Sequence, residues 1–449
     1  MIVRYIKSAC VVVEHDNTKV LCDPWLTDGI YYGSWYHYPP LKFQAEDFRD
    51  VDYIYISHIH PDHLDTATLK RLPKHIPVLI ASFNEKFVRS IIKECGFEHV
   101  VEINAGETFR LSEDFQMEIL GADFCDPSIC GKSFGCTLQT HRSTSLVDTL
   151  AVFHAGGKTV VNANDCAYPV TLSACDYIVQ KYNTVDMLLT GYAGAGPYPQ
   201  CYVYQDETEY LRRAENKKNQ FLEQCVNYAD HLKPKYFLPF AGQYTLGGKL
   251  AELNAYRGVP ELEELDALLL PKLRSRGLFS RMVLLNSGES FDVEAEISSA
   301  PYTPINLVEK EKYIREVLSL KRFSYEEDPV PSENELLDML RSAQAAMIDR
   351  LKKRDIQPWL HNWNVYISAG ESEKMFRIPL NQLGVETVGL EEIQSPFLKV
   401  HIDPRLLRRI LERKAHINNA EIGSHLRYER DPDEYDRALF VCLYYLHLS

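Results

Sequence analysis

The sequence lacks the features that would assign it to a special class of protein. It has no run of about eighteen consecutive apolar residues, the length that a membrane-spanning helix needs. Its 11 cysteines are scattered singly without a Cys-x-x-Cys pair, so we expect small buried side chains rather than a disulfide framework. Internal repeats and low-complexity tracts are also missing. These absences indicate an ordinary globular protein.

A surplus of basic residues is missing too. The 49 lysines and arginines are outnumbered by 63 aspartates and glutamates, which gives a formal net charge of −14. Such a charge opposes broad binding to nucleic acid or anionic lipid, although it is compatible with a local basic pocket. The N-terminal apolar run is interrupted by Arg4 and Lys7 and does not resemble an export signal. We therefore expect a cytoplasmic protein that binds neither nucleic acid nor membrane.

Chain length and local composition predict two domains. A chain of 449 residues exceeds the size at which a single hydrophobic core keeps growing. Proline-rich stretches with acidic neighbours at residues 301–304 and 328–332 are typical of a domain boundary. We place a catalytic domain at residues 1–300 and a smaller accessory domain of α+β structure at residues 301–449.

Alternating strand-like and helix-like segments predict a layered α/β fold. Hairpins are expected at residues 10–23 and 147–164, and they lead to Asp23 and Asp165. A strand-like run covers residues 51–57 between them. The other predicted elements are strands at residues 77–82 and 99–103, and helices at residues 65–71, 84–95 with Asn84 as N-cap, 207–231, 333–353 and 404–414.

The strongest chemical signal is the hexapeptide at residues 58–63. His58, His60, Asp62 and His63 directly follow the strand-like run. In a turn, the first two imidazoles can converge on one point while the last two side chains face a second point beside it. Neutral imidazole and carboxylate are the ligands that zinc, iron and similar divalent ions prefer. A lone histidine is usually a packed or solvated side chain, but this combination predicts a metal site.

Further ligands are expected among the side chains near strand ends. Asp165 is a candidate metal-bridging carboxylate, although an aspartate after a strand is often a turn residue or a helix cap. His141 is a candidate third imidazole, with Asp148 as its competitor. Asp23 could orient a ligating imidazole, or it could simply form a turn before Pro24. The predicted metal ligands are His58, His60, Asp62, His63, His141 and Asp165.

These motifs resemble those of the metallo-β-lactamase superfamily. The resemblance implies a metal-dependent enzyme with an αββα sandwich, whose metal site lies at one edge of two sheets. Three features carry it: the string His58-x-His60-x-Asp62-His63, the hairpin that ends in Asp23-Pro24-Trp25, and Asp165 after the second hairpin.

Weaker segments resemble the catalytic part of the CMP-N-acetylneuraminate hydroxylase family. That family hydroxylates a nucleotide-sugar acid with iron, oxygen and electrons from a Rieske iron–sulfur domain. A Rieske centre needs Cys-x-His and Cys-x-x-His pairs, which this sequence lacks, so a separate Rieske or ferredoxin protein would have to supply the electrons. The similar segments are residues 22–27, 56–63, 164–166, 192–197, 238–242, 420–423 and 430–435.

One departure from the superfamily bears on the metal count. Hydrolytic members carry a final histidine near the end of the fold, where this sequence has Pro239-Phe240-Ala241-Gly242. One of two metal positions should therefore be short of ligands. That asymmetry favours the activation of oxygen, or of a single water, over a symmetric two-metal clamp.

Two segments outside the histidine loop could contact an anionic group. Residues 191–197 form a loop of small side chains whose backbone amides could approach an anion, but a close backbone crossing explains such a loop equally well. Residues 212–218 carry four cations, although a run of this kind is usually a solvated helix face.

Two enzyme functions follow from these observations. The first is an iron-dependent oxygenase or hydroxylase with one or two Fe ions, acting on a small anionic substrate, of which nucleotide sugars are one class. The alternative is a zinc-dependent hydrolase of an ester, amide or phosphodiester bond, in which Asp62 is the catalytic base that accepts a proton from water. A binding protein that kept the fold without turnover is disfavoured, because the histidine motif is intact.

Overall fold

Two large mixed β-sheets lie face to face at the centre of the molecule. The structure, a computed structural model, describes residues 1–83, 86–121, 148–353, 363–371 and 373–448. Up to residue 298 its strands are β1 Ile2–Lys7, β2 Cys10–His15, β3 Thr18–Cys22, β4 Trp35–Tyr36, β5 Tyr53–Tyr55, β6 Val78–Ala81, β7 Val100–Ile103, β8 Phe109–Arg110, β9 Phe115–Gly121, β10 Thr149–Ala155, β11 Lys158–Asn162, β12 Met187–Gly191, β13 Tyr236–Phe240, β14 Thr245–Leu246, β15 Arg281–Met282, β16 Ser290–Asp292 and β17 Ile297–Ser298. The first sheet has the order β17-β16-β1-β2-β3-β5-β6-β7 and the second β15-β13-β12-β11-β10-β9-β8, while β14 pairs with β4.

The central strands bury both of their faces. In β2, Val11 and Val13 lie in the core between the two sheets, whereas Cys10 and Val12 lie in the core on the outer side of the first sheet. Alternate residues of a strand point to opposite faces, so one unbroken apolar run supplies both cores. The apolar hairpin at the start of the chain therefore forms the middle of the first sheet.

Helices cover both outer faces of the paired sheets. Thr66–Arg71 and Phe87–Glu94 pack on the first sheet. Leu172–Tyr182, Glu207–Leu232 and Leu265–Ser275 pack on the second sheet. The order of layers is helix, sheet, sheet, helix, which confirms the predicted αββα sandwich.

A third sheet forms the centre of the C-terminal region. Its core also contains the helices Glu333–Lys353 and Pro404–Leu411, together with Cys201 and Tyr202 from the earlier part of the chain. The division into two domains near residue 300 stays a prediction. The sheet has the order β20-β19-β18-β21-β22, with β18 Asn364–Ala369, β19 Met375–Ile378, β20 Glu386–Val388, β21 Phe397–Ile402 and β22 Arg427–Asp431.

The remaining helical segments are short. Within the described ranges, no helix combines the length and the apolar character that crossing a membrane requires. The eight cysteines that the structure describes are buried and form no disulfide bond with one another, as expected. The remaining helices are Ile30–Gly33, Leu307–Glu316, Ile417–Ile422 and Arg437–Tyr444, and the 3₁₀ segments are Ala45–Phe48, Tyr168–Val170, Gly248–Tyr256, Leu262–Glu264, Leu318–Leu320 and Leu390–Glu392.

The predicted hairpins both occur, and the differences lie at element ends. β10 and β11 pair with Ala155 opposite Lys158, so the turn between them consists of Gly156 and Gly157. The strand expected at residues 51–57 is limited to Tyr53–Tyr55. The helix expected from residue 84 begins at Phe87, and Lys86 occupies its N-cap position without a side-chain bond. The predicted N-cap, Asn84, lies outside the described residues.

Candidate metal centre

The residues that could bind a metal lie where strands of both sheets end. The neighbouring parallel strands β3 and β5 place Cys22 opposite Tyr55, so Asp23 and the histidine loop leave the first sheet side by side. In the second sheet, Asp148 immediately precedes β10 and Asp165 closely follows its antiparallel partner β11. Antiparallel pairing brings these two carboxylates to the same end of the hairpin. The site therefore forms at one edge of the two sheets.

His58, His60 and Asp148 form one part of the site, called the His60 half below. Nε2 of His58 lies 2.9 Å from Nδ1 of His60, and the two rings are perpendicular. Oδ1 of Asp148 lies 3.9 Å from the same nitrogen of His58. One ligand atom from each of the three residues lies within 4.8 Å of the others. These atoms are close enough together to surround one ion.

Asp62, His63 and Asp165 form the other part, called the His63 half below. Nε2 of His63 lies 3.4 Å from Oδ2 of Asp165 and 3.5 Å from Oδ2 of Asp62. This nitrogen is buried and makes no hydrogen bond with any described residue. Buried polar atoms normally have a partner, so an imidazole nitrogen that faces two carboxylates in this way fits a bound cation. His58 is close to this half as well, since its ligand atom groups with those of His63 and Asp165.

Asp23 supports the site from behind. It is fully buried and accepts hydrogen bonds from the backbone N of Ser57 at 2.8 Å and from Oγ of Ser57 at 2.7 Å. It also accepts a hydrogen bond from Nδ1 of His63 at 2.9 Å, which turns Nε2 of that ring toward Asp62 and Asp165. Of the two roles that the sequence left open for Asp23, these contacts support the orienting role.

Tyr31 is the partner of Asp62. Its hydroxyl donates to Oδ1 of Asp62 at 2.5 Å, and both side chains are buried. Burial raises the pKa of Asp62, but the charges of His63 and His60 and the Tyr31 hydrogen bond outweigh it and hold that pKa below its usual value. Asp62 is therefore an ionised carboxylate with one oxygen held by Tyr31 and the other facing His63.

The two buried imidazoles have opposite electrostatic surroundings. Burial and the neighbouring His63 and His60 rings lower the pKa of His58 well below its usual value, so His58 is neutral, as a metal ligand must be. Burial also lowers the pKa of His63, but Asp165, Asp62 and Asp23 outweigh it and hold that pKa well above its usual value. The His63 half therefore favours a positive charge.

All predicted ligands in the described part of the chain converge on this place. They are His58, His60, Asp62, His63 and Asp165. His141 lies outside the described residues. Asp148, its competitor in the sequence, lies beside His58. The assignment of these side chains as metal ligands stays a prediction.

A cavity of about 770 Å³ opens beside the site. Asp148 and Asp165 lie in its wall, so a molecule in the cavity would reach the predicted ligands. The helix Glu207–Leu232 supplies Arg213 and Lys217 to the same wall, whereas Arg212 of the same cation run forms a surface ion pair. Residues four apart lie on one helix face, which explains why only part of the run reaches the cavity.

The small-residue loop at residues 191–197 also lines the cavity. A Cβ added to Gly194 would lie 2.0 Å from the ring of Phe221 on the helix Glu207–Leu232. A side chain at this position would therefore have to displace the ring of Phe221. This contact supports the steric explanation of the loop rather than the anion-binding one.

The C-terminal region closes the cavity with residues that no motif assigned to the site. Asn418, Glu421 and Arg430 lie in the wall, and Oδ1 of Asn418 lies 3.2 Å from Nε2 of His60. The sequence signal for two of them is the resemblance at residues 420–423 and 430–435, which includes Glu421 and Arg430. Asn418 carries no such signal, because only the folded chain brings it to His60.

Comparison with known proteins agrees with this geometry. Residues 18–239 match the model of the beta-lactamase superfamily domain. The matched range, which extends from β3 to β13, carries the histidine loop and Asp165.

Proteins with similar sequences include one named for a Rieske iron-sulfur centre and one named as a hydroxylase. The chain is 26% identical over 266 residues to a protein of Mycolicibacterium smegmatis named as a Rieske 2Fe-2S iron-sulfur protein, and the match covers 58% of this chain and 47% of that protein. It is 24% identical over 274 residues to the cytidine monophosphate-N-acetylneuraminic acid hydroxylase of Danio rerio, covering 58% and 42%. The chain thus spans less than half the length of these relatives.

Among solved structures, the isothiocyanate hydrolase from Delia radicum gut bacteria is similar in fold. The identity is 15% and the TM-score 0.43, and the match covers 67% of this chain and 100% of that one.

Proposed function

We propose that this protein is a metal-dependent oxygenase of the hydroxylase type that acts on a small anionic substrate with electrons from a separate protein. One observation carries the proposal: Asp148 and Asp165 line the same cavity as Arg213, Lys217 and Arg430. A substrate could therefore present its anionic group to the cations while another of its atoms lies next to the metal centre.

The metal would be held by the two halves of the site. Iron is the proposed metal and zinc the alternative, since imidazole and carboxylate suit both. When bound, the ion supplies Lewis acidity and, if it is iron, redox chemistry toward oxygen. The number of ions, one or two, stays open, because the two groups of ligand atoms share His58.

Arg430 and Lys217 would recognise the anionic group. Nη1 of Arg430 is buried and makes no hydrogen bond with any described residue, while its Nε donates to Asp433 at 2.8 Å. Nζ of Lys217 is buried and donates to the carbonyl oxygen of Tyr198 at 2.7 Å. Burial, with the charge of Arg257, lowers the pKa of Lys217 to about 7. A phosphate or carboxylate would stabilise the charged form of this lysine and accept the free donor of Arg430.

Two observations support an oxygenase over a hydrolase. The sequence is similar to a hydroxylase over 58% of this chain. Residues 239–242 contain no imidazole, which supports an asymmetric centre. The separate Rieske or ferredoxin donor and the cytoplasmic location stay predictions.

A hydrolase is the second candidate, and the state of Asp62 favours it. The carboxylate of Asp62 is ionised and lies at the metal centre, so it could accept a proton from an attacking water. In an oxygenase the same carboxylate would serve as a ligand. The reaction's dependence on oxygen separates the two candidates.

The test uses the purified protein loaded anaerobically with Fe(II), a chemical reductant, and CMP-N-acetylneuraminate as the first probe. Insertion of one oxygen atom consumes O₂, two electrons and two protons, and it yields the hydroxylated product and water. We expect oxygen uptake and a product one oxygen atom heavier, measured by electrode and mass spectrometry. Cleavage products that form equally without oxygen would contradict the oxygenase and support the hydrolase.

The anion-binding part is tested with CMP and with the variant Arg430→Gln. Loss of a charge-assisted hydrogen bond from a buried guanidinium should weaken CMP binding about tenfold, measured by calorimetry. Arg212→Gln is the matched control, because Arg212 pairs with Glu209 at the surface and should be without effect. Equal CMP affinity in both variants would contradict the assignment of Arg430.

A further inference from the structure

We propose that Asn418 is a positioning residue for the predicted metal ligand His60. Its amide oxygen holds Nε2 of the imidazole, so that Nδ1 is the atom that faces the ion. The inference rests on the proposed metal centre and adds a residue from the C-terminal region to it.

The contact joins two distant parts of the chain. Nε2 of His60 lies 3.2 Å from Oδ1 of Asn418, which is 358 positions further along the sequence. Asn418 belongs to the helix Ile417–Ile422, whose N-cap is His416, so its side chain is not needed for capping. It also lies in the cavity wall, together with Asp148 of the His60 half.

A hydrogen-bond chain fixes the orientation of the Asn418 amide. Its Nδ2 donates to the hydroxyl of Tyr444 at 3.3 Å, and Tyr444 in turn donates to the buried carboxyl of Glu421. The hydroxyl of Tyr428 also donates to Glu421, at 2.7 Å. Because Nδ2 is engaged with Tyr444, the oxygen of the amide faces His60. The proton on His60 must then lie on Nε2, which leaves a lone pair on Nδ1.

The neighbouring ring is fixed in a complementary way. Oγ of Ser57 donates to Asp23 and therefore accepts from Nδ1 of His58 at 2.9 Å. His58 thus has its lone pair on Nε2, only 2.9 Å from the lone pair of His60 Nδ1. Two such nitrogens cannot hydrogen bond to each other and repel at this distance. The same distance is suited to two ligands of one divalent ion with metal–nitrogen bonds of about 2.1 Å.

Asn418 is therefore assigned to the same kind of task as Asp23, which orients His63. Groups that orient a ligating imidazole typically change metal affinity about 10–100-fold when they are removed. Asn418→Leu should remove the acceptor with little change in volume. Asn418→Asp should keep an acceptor toward His60.

The experiment titrates the metal-free full-length protein with Co(II) and follows the visible absorption of the bound ion. Asn418→Leu should weaken Co(II) binding about 10–100-fold and change the absorption spectrum. Asn418→Asp should stay near the wild type. Asn419→Leu is the matched control on the same helix, because Asn419 hydrogen bonds Tyr32 and not His60. Thermal unfolding will show whether Asn418→Leu disturbs folding. If it does, Asn418→Ser takes its place in the titration.

The variant His60→Ala separates this inference from the proposed function. In the His60→Ala background, Asn418→Leu should cause no further loss of Co(II) affinity, because Asn418 acts through His60. The positioning role would be overturned if Asn418→Leu and Asn418→Ser both bound Co(II) as tightly as the wild type. It would also be overturned if Asn418→Leu weakened Co(II) binding as much in the His60→Ala background as in the wild type. Wild-type affinity in His60→Ala itself would show that His60 is not a metal ligand, which would overturn the inference without refuting the second group of ligand atoms, His58, His63 and Asp165.

Discussion

The two halves of the candidate metal centre are supported by different parts of the molecule. In the His63 half, the supporting residues Asp23 and Tyr31 are buried and come from the sandwich or its loops. In the His60 half, His60 is partly exposed, and its partner Asn418 comes from the C-terminal region. The supporting residues of the His63 half thus belong to the sandwich or its loops, although Tyr31 also packs against the C-terminal region. The His60 half takes a supporting residue from that region itself, which the sequence suggested was accessory.

The halves also differ in charge. Asp23, Asp62 and Asp165 surround His63, and their charges overcome the effect of burial on its pKa. The pKa of His58 is lowered by burial and by the neighbouring imidazoles, so His58 stays neutral. We therefore expect changes in the His63 half to affect folding and metal binding together. Changes on the Asn418 side should affect mainly metal binding.

The largest effect is expected from the double variant His58→Ala with His60→Ala. It removes the imidazole shared by both groups of ligand atoms, so the metal content of the purified protein should fall to background in elemental mass spectrometry. The control replaces the exposed His75 and His99 in the same way and should retain the metal. Equal metal content in the two double variants would refute the metal centre.

A smaller effect is expected from Asp23→Ala. It leaves the donors of Ser57 and His63 buried without an acceptor, so unfolding free energy should fall by about 4 kcal/mol. Metal affinity should fall about 10–100-fold, since His63 loses its orienting partner. Asp28→Ala breaks a similar pair with the buried His37 and should reduce stability while metal affinity is kept. If Asp23→Ala left the metal affinity unchanged, Asp23 would not orient a metal ligand. The proposed difference between the two halves would then be refuted.

The smallest effect is expected from Glu421→Gln, in the part of the cavity wall that the C-terminal region supplies. Burial raises the pKa of Glu421 from 4.5 to about 7. Between these values the folded protein keeps a proton that the unfolded chain releases, so stability contributed by this group falls as pH rises toward 7. Glu421→Gln should therefore gain about 2 kcal/mol over the wild type between pH 5 and pH 8, less than the full pKa difference because part of the wild-type loss already occurs below pH 5.

Urea unfolding of the metal-free proteins at both pH values measures this difference. The exposed Glu327, changed to Gln, is the control and should leave the pH dependence as in the wild type. Parallel pH profiles for Glu421→Gln and the wild type would show that Glu421 is not titrating in this range.

The predicted ligands of the candidate metal centre could be found in the sequence because they lie next to strand ends. His58, His60, Asp62 and His63 form one continuous loop, and Asp165 follows a recognisable hairpin. The supporting residues were harder to predict, since no local pattern relates Tyr31 to Asp62 or Asn418 to His60. Such contacts depend on the path of the whole chain.

The cations that line the cavity were partly predictable from the sequence. Arg213 and Lys217 are four residues apart and share a helix face, and this periodicity of the sequence separates them from Arg212. Arg430 lies in a segment whose resemblance was visible, but nothing in the sequence places it near the helix Glu207–Leu232. That proximity arises from the pairing of residues 201–203 with Tyr428.

The central claim is that two imidazole nitrogens of the histidine loop share one divalent ion. Anomalous X-ray diffraction from crystals of the purified protein, recorded on either side of the iron and zinc absorption edges, tests it most directly. We predict a metal peak about 2.1 Å from both Nε2 of His58 and Nδ1 of His60. A metal bound elsewhere, or a peak that Nε2 of His60 approaches in place of Nδ1, would contradict it.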